Sequence, residues 1–288
     1  MASLKEIKAR ISSVKSTLKI TQAMKMVASA KLRKAQKMVA GLDAYKSALN
    51  EILQRLSQKT SSSSLAVPQP SAKRVAIVVF SSNTALCGSY NSNIFKALEA
   101  RIAGVEAAGN PVTVFPVGEK VAKMARKAGR DVNSDFVSAG DNLSYDDMAS
   151  LAQFFVDGFV AGRFARVELL YMHYYSASRQ SIEDDTWLPL KASAAVVSDG
   201  QEPLADDVIV EPSEREVVQK LLPLAMRTDM YATLLSSNAS ENACRMIAMQ
   251  TASDNAQDLL QQLQLTYNKQ RQQDITEELT DISNGKLA

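Results

Sequence analysis

Two stretches, one at each end of the chain, carry apolar residues at alternating three- and four-residue spacing. The N-terminal stretch has no proline between Ala2 and Gln58, and its only glycine is Gly41. Its apolar positions, with a shift of phase after Leu18, are Leu4, Ile7, Ile11, Val14, Leu18, Ala28, Leu32, Ala35, Val39, Leu42, Tyr45, Leu49, Ile52 and Leu56. This heptad-like spacing predicts one helix of about 55 residues, roughly 80 Å long.

The C-terminal stretch predicts a second long helix. Ser213, followed three residues later by Glu216, forms a capping-box pattern that predicts a helix start, and the helical pattern continues to about Ser283. Pro223 is expected to kink this helix near its beginning. The apolar seam in its later part is Met249, Ala252, Ala256, Leu259 and Leu263. About 70 helical residues would extend roughly 105 Å.

The predicted lengths exclude an ordinary globule, because a compact chain of 288 residues has a radius of gyration of only about 19 Å. The simplest arrangement in which each apolar seam has a partner pairs the two terminal helices as an antiparallel coiled coil. A two-stranded rod leaves most of its side chains exposed, so we expect another protein to surround it.

The middle of the chain predicts a small α/β, Rossmann-like domain. Short β-branched runs, "RVAIVVF", "VTVFPVG" and "ARVELLYMHYY", alternate with helical patterns, which favours a largely parallel sheet. The segment "KTSSSSLAVPQPSAK" has the composition of a linker. We therefore predict an N-terminal coiled-coil helix over residues 1–58, an α/β domain over 73–205 and a C-terminal coiled-coil helix over 212–288.

The charge of the chain is unevenly distributed. The whole sequence has 33 basic and 31 acidic residues, but residues 1–38 contain ten Lys or Arg and one acid, a net charge of +9. A solvated charged face is the first interpretation, and a positive rod inside a closely fitting protein sleeve is the second. Binding to nucleic-acid phosphates and adsorption to a membrane surface remain as alternatives.

The sequence contains no recognisable catalytic, cofactor-binding or metal-binding constellation. Neither Gly-x-x-x-x-Gly-Lys-Ser/Thr nor Gly-x-Gly-x-x-Gly occurs, and the turn "SSNTALCGSYN" is interpreted as structural in preference to an anion site. His173, the only histidine, is interpreted as a sheet residue. Cys87 and Cys244 are far apart and are interpreted as free thiols in a reducing compartment. Acid pairs such as Asp146–Asp147, Asp206–Asp207 and those of "IEDD" are interpreted as solvated surface.

The sequence also shows no targeting or membrane signal. No stretch approaches the roughly 18–20 apolar residues of a membrane span, and the first residues lack the apolar segment of a signal peptide. We expect a soluble chain that can dock on a membrane complex.

The terminal motifs resemble those of the γ subunit of F-type ATP synthases. The motifs are "LKEIKARISSVKSTLKITQAMKMVASAKLRKAQ" at the start and "SENACRMIAMQTASDNAQDLLQQLQLTYNKQRQQDITEELTDISNG" at the end, and "ALCGSYN" is similar to the family's Leu-Cys-Gly turn. The resemblance implies a non-catalytic rotor shaft inside a hexamer of α and β subunits. It implies further contacts with the ε subunit and the ring of membrane c subunits, at the cytoplasmic face of a bacterial inner membrane.

The resemblance also implies a set of partner-contact residues. Met24 and Lys25 match the part of the N-terminal helix that faces the acidic hinge segment of the catalytic subunits. Glu211 matches an acid near the membrane ring. The family's C-terminal contact residues are matched by Arg245, Arg271, Gln272, Thr276 and Glu278. In two places the chain departs from the family pattern: "SSNTALCG" lacks the usual Asp and Gly, and Pro223 lies in the last helix.

A polar interruption in the C-terminal seam, from Asn268 to Asp274, fits this implied role. If the N-terminal helix ends beside it, its polar side chains are available to grip and release a surrounding subunit. Two other functions are kept as alternatives: a basic coiled-coil protein that binds nucleic acid, and an α/β enzyme that uses a nucleotide.

Overall fold

The computed structural model describes residues 3–57, 65, 72–140, 143–190 and 210–285, without the side chains of residues 54–57, 283 and 284. Two long helices, α1 (Leu4–Ser57) and α5 (Glu214–Gly285), flank a set of shorter elements. In chain order these are β1 (Val75–Phe80), α2 (Tyr90–Ala107), β2 (Val112–Val117), α3 (Glu119–Lys127), α4 (Tyr145–Val160), β3 (Arg166–Tyr174) and β4 (Gln180–Leu188). The predicted long helices and the three predicted strands are confirmed.

The four strands form one mixed sheet in the order β2-β1-β3-β4. β1 is parallel to both β2 and β3, whereas β4 is antiparallel to β3. The segment "IEDD", interpreted from sequence as solvated surface in a loop, lies in strand β4 instead of a loop. Asp184 and Asp185 are exposed there, in agreement with that interpretation, and Asp184 has in addition a charged partner. Its carboxylate forms an ion pair with Arg101 at 3.0 Å. The second predicted acid pair, Asp206–Asp207, lies outside the described residues.

Apolar side chains cover both faces of the sheet. Alternate residues of β1 point to opposite faces. Ile77 packs with the buried side of α2, including Ile94, and Val78 packs in a second cluster with α4 and α5, including Phe155 and Met230. Because both faces of β1 are covered, its continuous β-branched sequence is the pattern of a fully buried strand.

Packing divides the chain into two compact units. One, the terminal unit, contains Met1–Ala30 and Arg245–Ala288; the other, the sheet unit, contains Lys31–Cys244. Segments of α1 and α5 are therefore part of each unit, and residues 225–244, in the first half of α5, are largely buried within the sheet unit.

Two contacts show the direction in which α1 and α5 pair. In the terminal unit Ser253 Oγ lies 2.8 Å from Thr21 Oγ1, and in the sheet unit Lys46 Nζ lies 2.8 Å from Asp229 Oδ1. The later residue of α1 thus contacts the earlier residue of α5. The two helices run antiparallel, as predicted.

The seam of α1 differs in detail from the prediction. Buried or half-buried residues continue every third and fourth position from Leu4 to Leu53 without a shift of phase, because Thr21 and Lys25 occupy seam positions. Tyr45 and Ile52, predicted in the seam, are 48% and 46% exposed. The positions beside them, Lys46 and Leu53, face the seam instead.

The seam of α5 also includes polar residues. In place of Leu259, which is 45% exposed, the half-buried residue is Leu260. The buried or half-buried heptad series of this part of α5 is Met249, Ser253, Ala256, Leu260, Leu263, Tyr267, Gln270 and Asp274.

The starts of both long helices have side-chain caps. At α1 the Ser3 N–H donates to Glu6 Oε2 (3.2 Å) and the Glu6 N–H donates to Ser3 Oγ (3.3 Å). This reciprocal pair is a capping box that the sequence reading missed. At α5 the Glu216 N–H donates to Ser213 Oγ at 3.3 Å. Pro223 lies inside α5, and the helix continues past it. Within the described residues no helix combines the length and the hydropathy that a membrane crossing requires.

Candidate functional site

Lys25 lies at the edge of a polar groove in the terminal unit. The groove has a volume of about 370 Å³ between α1 and α5. Gln22 and Lys25 line it from α1, and from α5 it is lined by Gln250, Ser253, Asp254, Gln257 and Asp258. The half-buried Lys25 therefore lies near two carboxylates, neither of which forms an ion pair with it within 4 Å in the described structure.

Met24 flanks the seam on the other side of α1. It is half-buried, as is Arg245 on α5, and both belong to the terminal unit. Ile20 and Val27, three or four residues from Met24, lie on the same side of the helix and are exposed. The two predicted contact residues of α1, Met24 and Lys25, thus face different surroundings: one side is apolar, and the other is the polar groove.

The polar interruption of α5 lies where the first turn of α1 begins. Because Thr21 pairs with Ser253 and the helices are antiparallel, Leu4 lies about level with Gln270. There the Gln270 side-chain amide donates to Asp274 Oδ1 at 2.8 Å, which satisfies both groups within α5. The part of α5 beyond Asp274 extends past the first turn of α1.

The predicted contact residues of this part of α5 are exposed on two sides of the helix. Gln272 and Thr276 are four residues apart and lie on one side, and Arg271 and Glu278, seven residues apart, lie on another. The Thr276 hydroxyl donates to the Gln272 carbonyl at 2.8 Å. The structure therefore leaves the Arg271 guanidinium and the Gln272 amide exposed in the described chain.

An apolar stripe between these two sides was missed by the sequence analysis. Ile275, Leu279 and Ile282 are spaced by four and three residues, so they share one face of α5, and all three are exposed. Their spacing was visible in the sequence.

Glu211 is not part of this surface. It is exposed, precedes α5, and belongs to the sheet unit, whereas the other seven predicted contact residues belong to the terminal unit. Seven of the eight residues therefore belong to one compact unit, in which they are spread along α1 and α5.

The turn after β1 is held by bonds among its own residues and to α5. Asn91 donates through Nδ2 to Ser82 Oγ at 2.7 Å and to Cys87 Sγ at 3.2 Å. The buried Tyr90 hydroxyl lies 2.6 Å from Ser237 Oγ, and burial raises the Tyr90 pKa well above its ordinary value. These contacts favour the structural interpretation of the turn.

α5 also covers the carboxyl ends of the central strands, where open α/β sheets bind ligands. The Tyr174 N–H donates to Ser236 Oγ at 2.9 Å, and the same oxygen lies 3.2 Å from His173 Nδ1. His173 is thus satisfied within the fold, as the sequence analysis expected.

One charge cluster of the sheet unit lies inside the fold, around the buried Glu168. The fully buried Glu168 accepts two bonds from Arg101, at 2.7 and 2.6 Å, and the bond to this carboxylate raises the Arg101 pKa. Arg101 also reaches Asp184 of β4. This cluster joins α2 to two strands. Among the described residues, no three His, Cys, Asp or Glu side chains form a group suited to a metal.

Both cysteines are free. Burial raises the pKa of Cys244 to about 11, and its thiol lies 3.7 Å from Gln180 Oε1. A thiol with a raised pKa is mostly protonated at neutral pH and is a poor nucleophile.

Comparisons with known proteins give one consistent result. A family model described as ATP synthase matches residues 3–288. The ATP synthase gamma chain of Parabacteroides distasonis is 44% identical over 286 residues, covering 99% of this chain and 98% of the relative. The ATP synthase gamma chain of Phocaeicola vulgatus is 45% identical over 290 residues, with full coverage of both chains.

Solved structures share the fold. The rotor of the Euglena gracilis mitochondrial ATP synthase matches with a TM-score of 0.63 and 19% identity, covering 94% of this chain and 98% of that one. A central-stalk chain of the Tetrahymena thermophila mitochondrial ATP synthase matches with a TM-score of 0.58 and 24% identity, covering 81% and 99%. None of these matches supports the nucleic-acid-binding alternative.

Proposed function

This chain belongs to the ATP synthase gamma chain family, and we propose that it is the central rotor shaft of an F-type ATP synthase. In this function it transmits the rotation of a proton-driven membrane c ring to the catalytic sites of an α/β hexamer. The observation that carries the proposal is the family match over residues 3–288, because it includes both helices of the antiparallel pair as well as the α/β domain.

The chain itself carries out no covalent step in this proposal, and catalysis takes place in the α and β subunits. Two features support this division. Cys87 is buried and bonded within its turn, and the His173 ring is bonded to Ser236. α5 also occupies the edge of the sheet where a nucleotide would bind.

The terminal unit supplies the contacts with the hexamer. We assign contacts with the α and β subunits to Met24, Lys25, Arg245, Arg271, Gln272, Thr276 and Glu278. The exposed Arg271 and Gln272 are the primary contacts, because they combine a cationic donor and an amide just beyond the start of α1. Exposed polar groups of this kind exchange partners with little loss of buried apolar area, which suits a shaft that turns.

The sheet unit supplies the remaining contacts. We assign it the ε subunit and the c ring as partners, with the exposed Glu211 at the ring. The chain then associates with the membrane only peripherally, through the c ring, at the cytoplasmic face of the bacterial inner membrane.

Co-expression with the α and β subunits encoded by the same genome tests the proposal. The expected product is one stable complex with three copies of each partner and one copy of this chain, measured by native mass spectrometry. The complex should hydrolyse ATP, and a fluorescent bead attached to the sheet unit should rotate. Purified subunits that fail to assemble, or a complex that forms without this chain, would contradict the proposal.

A further inference from the structure

Lys25 occupies a position in α1 that a coiled-coil seam normally gives to an apolar residue. It lies four residues after Thr21 and three before Ala28, both of which are buried in the seam, and Lys25 itself is half-buried. The methylene groups of a lysine at such a position pack in the seam, but its ammonium must reach polar surroundings, because an unpaired buried charge is costly. The residues on the two sides of the seam therefore decide where the charge of Lys25 points.

The two sides of the seam differ in polarity. On the side of Met24, the neighbouring Ile20 and Val27 are apolar and more than half exposed. On the other side is the polar groove, where Asp254 and Asp258, four residues apart, lie on the same side of α5. A lysine ammonium on its flexible stem is expected to point into the groove, whose volume of about 370 Å³ leaves it room to approach either carboxylate.

Both carboxylates of the groove are available to a cation. The Gln250 side-chain amide donates to Asp254 Oδ1 at 2.7 Å, which fixes the position of that carboxylate at the groove. The Asp258 carboxylate is exposed and, within the described structure, forms no hydrogen bond or ion pair. Two carboxylates and one ammonium give the groove a net charge of −1. The groove therefore attracts the Lys25 ammonium and repels any other carboxylate that approaches it.

We infer that Asp254 and Asp258 are positioning residues for Lys25: they bind its ammonium whenever no partner subunit does, and they compete for it with carboxylates of the partner. The inference rests on the proposed function, in which Lys25 contacts the α and β subunits. A turning shaft must make and break this contact repeatedly. Each release would leave a half-buried ammonium unpaired, which is costly. The internal carboxylates remove this cost and weaken the external contact, so Lys25 can pass from one subunit to the next.

Zero-length crosslinking of the isolated full chain tests the internal pairing. A water-soluble carbodiimide joins an amine to a carboxylate that touches it and takes up the water that is lost, and mass spectrometry identifies the joined peptides. Lys25 should become linked to Asp254 or Asp258. Lys5 is the control, because it is exposed on the side of α1 opposite the seam, and it should give no link to either aspartate. In the assembled complex the yield of the Lys25 links should fall at least about twofold, because the partner subunits compete for the same ammonium.

Rotation of the assembled complex tests the competition. The double variant Asp254→Asn with Asp258→Asn removes both charges and keeps the side-chain shapes. The contact of Lys25 with its partner should then last longer, so the steps of a bead attached to the sheet unit should slow roughly two- to fivefold, the range of one exposed ion pair. Asp281→Asn, exposed further along α5, is the matched control and should leave the steps unchanged. In a Lys25→Met chain the double substitution should have no effect, a result that a merely structural role of the two aspartates would not give.

Three outcomes would overturn the inference. The first is the absence of any link between Lys25 and either aspartate in the isolated chain. The second is a slowing of the double variant that persists in the Lys25→Met chain, and the third is a double variant that steps faster than the parent. Because both aspartate side chains are exposed, the melting temperature of the double variant should be unchanged. Failure of the unsubstituted chain to assemble with the α and β subunits would overturn the proposed function, whereas the links within the isolated chain do not depend on assembly.

Discussion

The hydroxyl oxygens of Thr21 and Ser253 lie 2.8 Å apart between α1 and α5, and both side chains are buried. Each residue also has an acceptor in its own helix: the Leu18 carbonyl lies 3.0 Å from Thr21 Oγ1, and the Met249 carbonyl lies 2.8 Å from Ser253 Oγ. Neither hydroxyl would therefore be left without a partner if the other were removed. The bond between the helices adds stability without being required to satisfy a buried group.

Thr21→Val should lower the free energy of opening of the terminal unit by about 0.5–1.5 kcal/mol, the usual contribution of one hydrogen bond. Hydrogen exchange of the amides around Ser253 measures this local opening. Thr17→Val is the control, because Thr17 makes the same kind of bond to its own helix but is exposed. An equal loss in the control would show that the bond between the helices contributes nothing.

Asp184→Asn should stabilise the sheet unit at neutral pH. Burial raises the pKa of Asp184 above its ordinary value of 3.8, and the opposing effect of Arg101 is smaller. A carboxyl group with a raised folded-state pKa favours folding below its unfolded-state pKa, and this contribution is lost as pH rises through the folded-state pKa. Asparagine has no carboxyl group to ionise, so the variant should not lose stability as the pH rises through this range.

Thermal melting of both proteins as a function of pH measures this effect. The difference in melting temperature should be largest at neutral pH and should disappear in acid. Asp185→Asn serves as the control, because adjacent strand residues point to opposite faces of the sheet. A variant that is less stable than the parent at neutral pH would show that the ion pair with Arg101 outweighs burial.

The sequence was sufficient to predict the elements with strong periodicity. β1 and β3 are β-branched runs, and the two long helices have heptad spacing with few breakers. β4 was missed because "QSIEDDTWL" has three consecutive acids, which are unusual in a strand. They are tolerated because Asp184 pairs with Arg101 and because β4 lies at one end of the described sheet, where charged side chains are common.

The seams were predicted less well than the helices. Hydropathy predicted Tyr45 and Leu259 in the seams, but the half-buried residues at these places are Lys46 and Leu260. The contact residues were predicted from the resemblance to a family. Their exposure to solvent depends on the three-dimensional structure and could not be predicted from the sequence. The groove beside Lys25 was not predictable, because Asp254 and Asp258 approach it only when distant parts of the chain pair.

Gly118→Ala should destabilise the sheet unit by about 3 kcal/mol or more, because it combines backbone strain with a steric clash. Gly118 has φ +120°, and a Cβ there would lie 2.3 Å from the Ser81 carbonyl oxygen. Urea unfolding followed by circular dichroism measures the loss. Gly129→Ala is the matched control: its φ is +75° and its Cβ would meet no atom within 4 Å, so it should cost only about 1–2 kcal/mol. Equal losses would show that the clash at Gly118 relaxes.

Replacing Arg271 and Gln272 together with alanine should leave the melting temperature of the isolated chain unchanged, because both side chains are exposed. In the assembled complex each lost hydrogen bond to a charged partner group should cost about 1.5–3 kcal/mol, so coupled ATP hydrolysis should fall roughly tenfold or more. The control is the alanine pair at Gln261 and Gln262, which are also exposed and lie ten residues earlier in α5. Normal coupling in the Arg271 and Gln272 variant would remove both from the contact site.

Leu279→Ser combined with Ile282→Ser tests whether the apolar stripe at the end of α5 is also a contact. The two side chains are 62% and 61% exposed, so the isolated chain should keep its melting temperature and self-associate less. Burying a Leu or Ile side chain contributes about 1.5–3 kcal/mol, so affinity for the α and β subunits should fall roughly tenfold to a hundredfold per residue covered. Thr280→Ala is the control, since Thr280 is exposed on another side of α5. Unchanged affinity would mean that only the polar residues at the end of α5 bind the partner subunits. A loss of affinity equal to that of the Arg271 and Gln272 variant would mean that polar and apolar residues both contribute to binding.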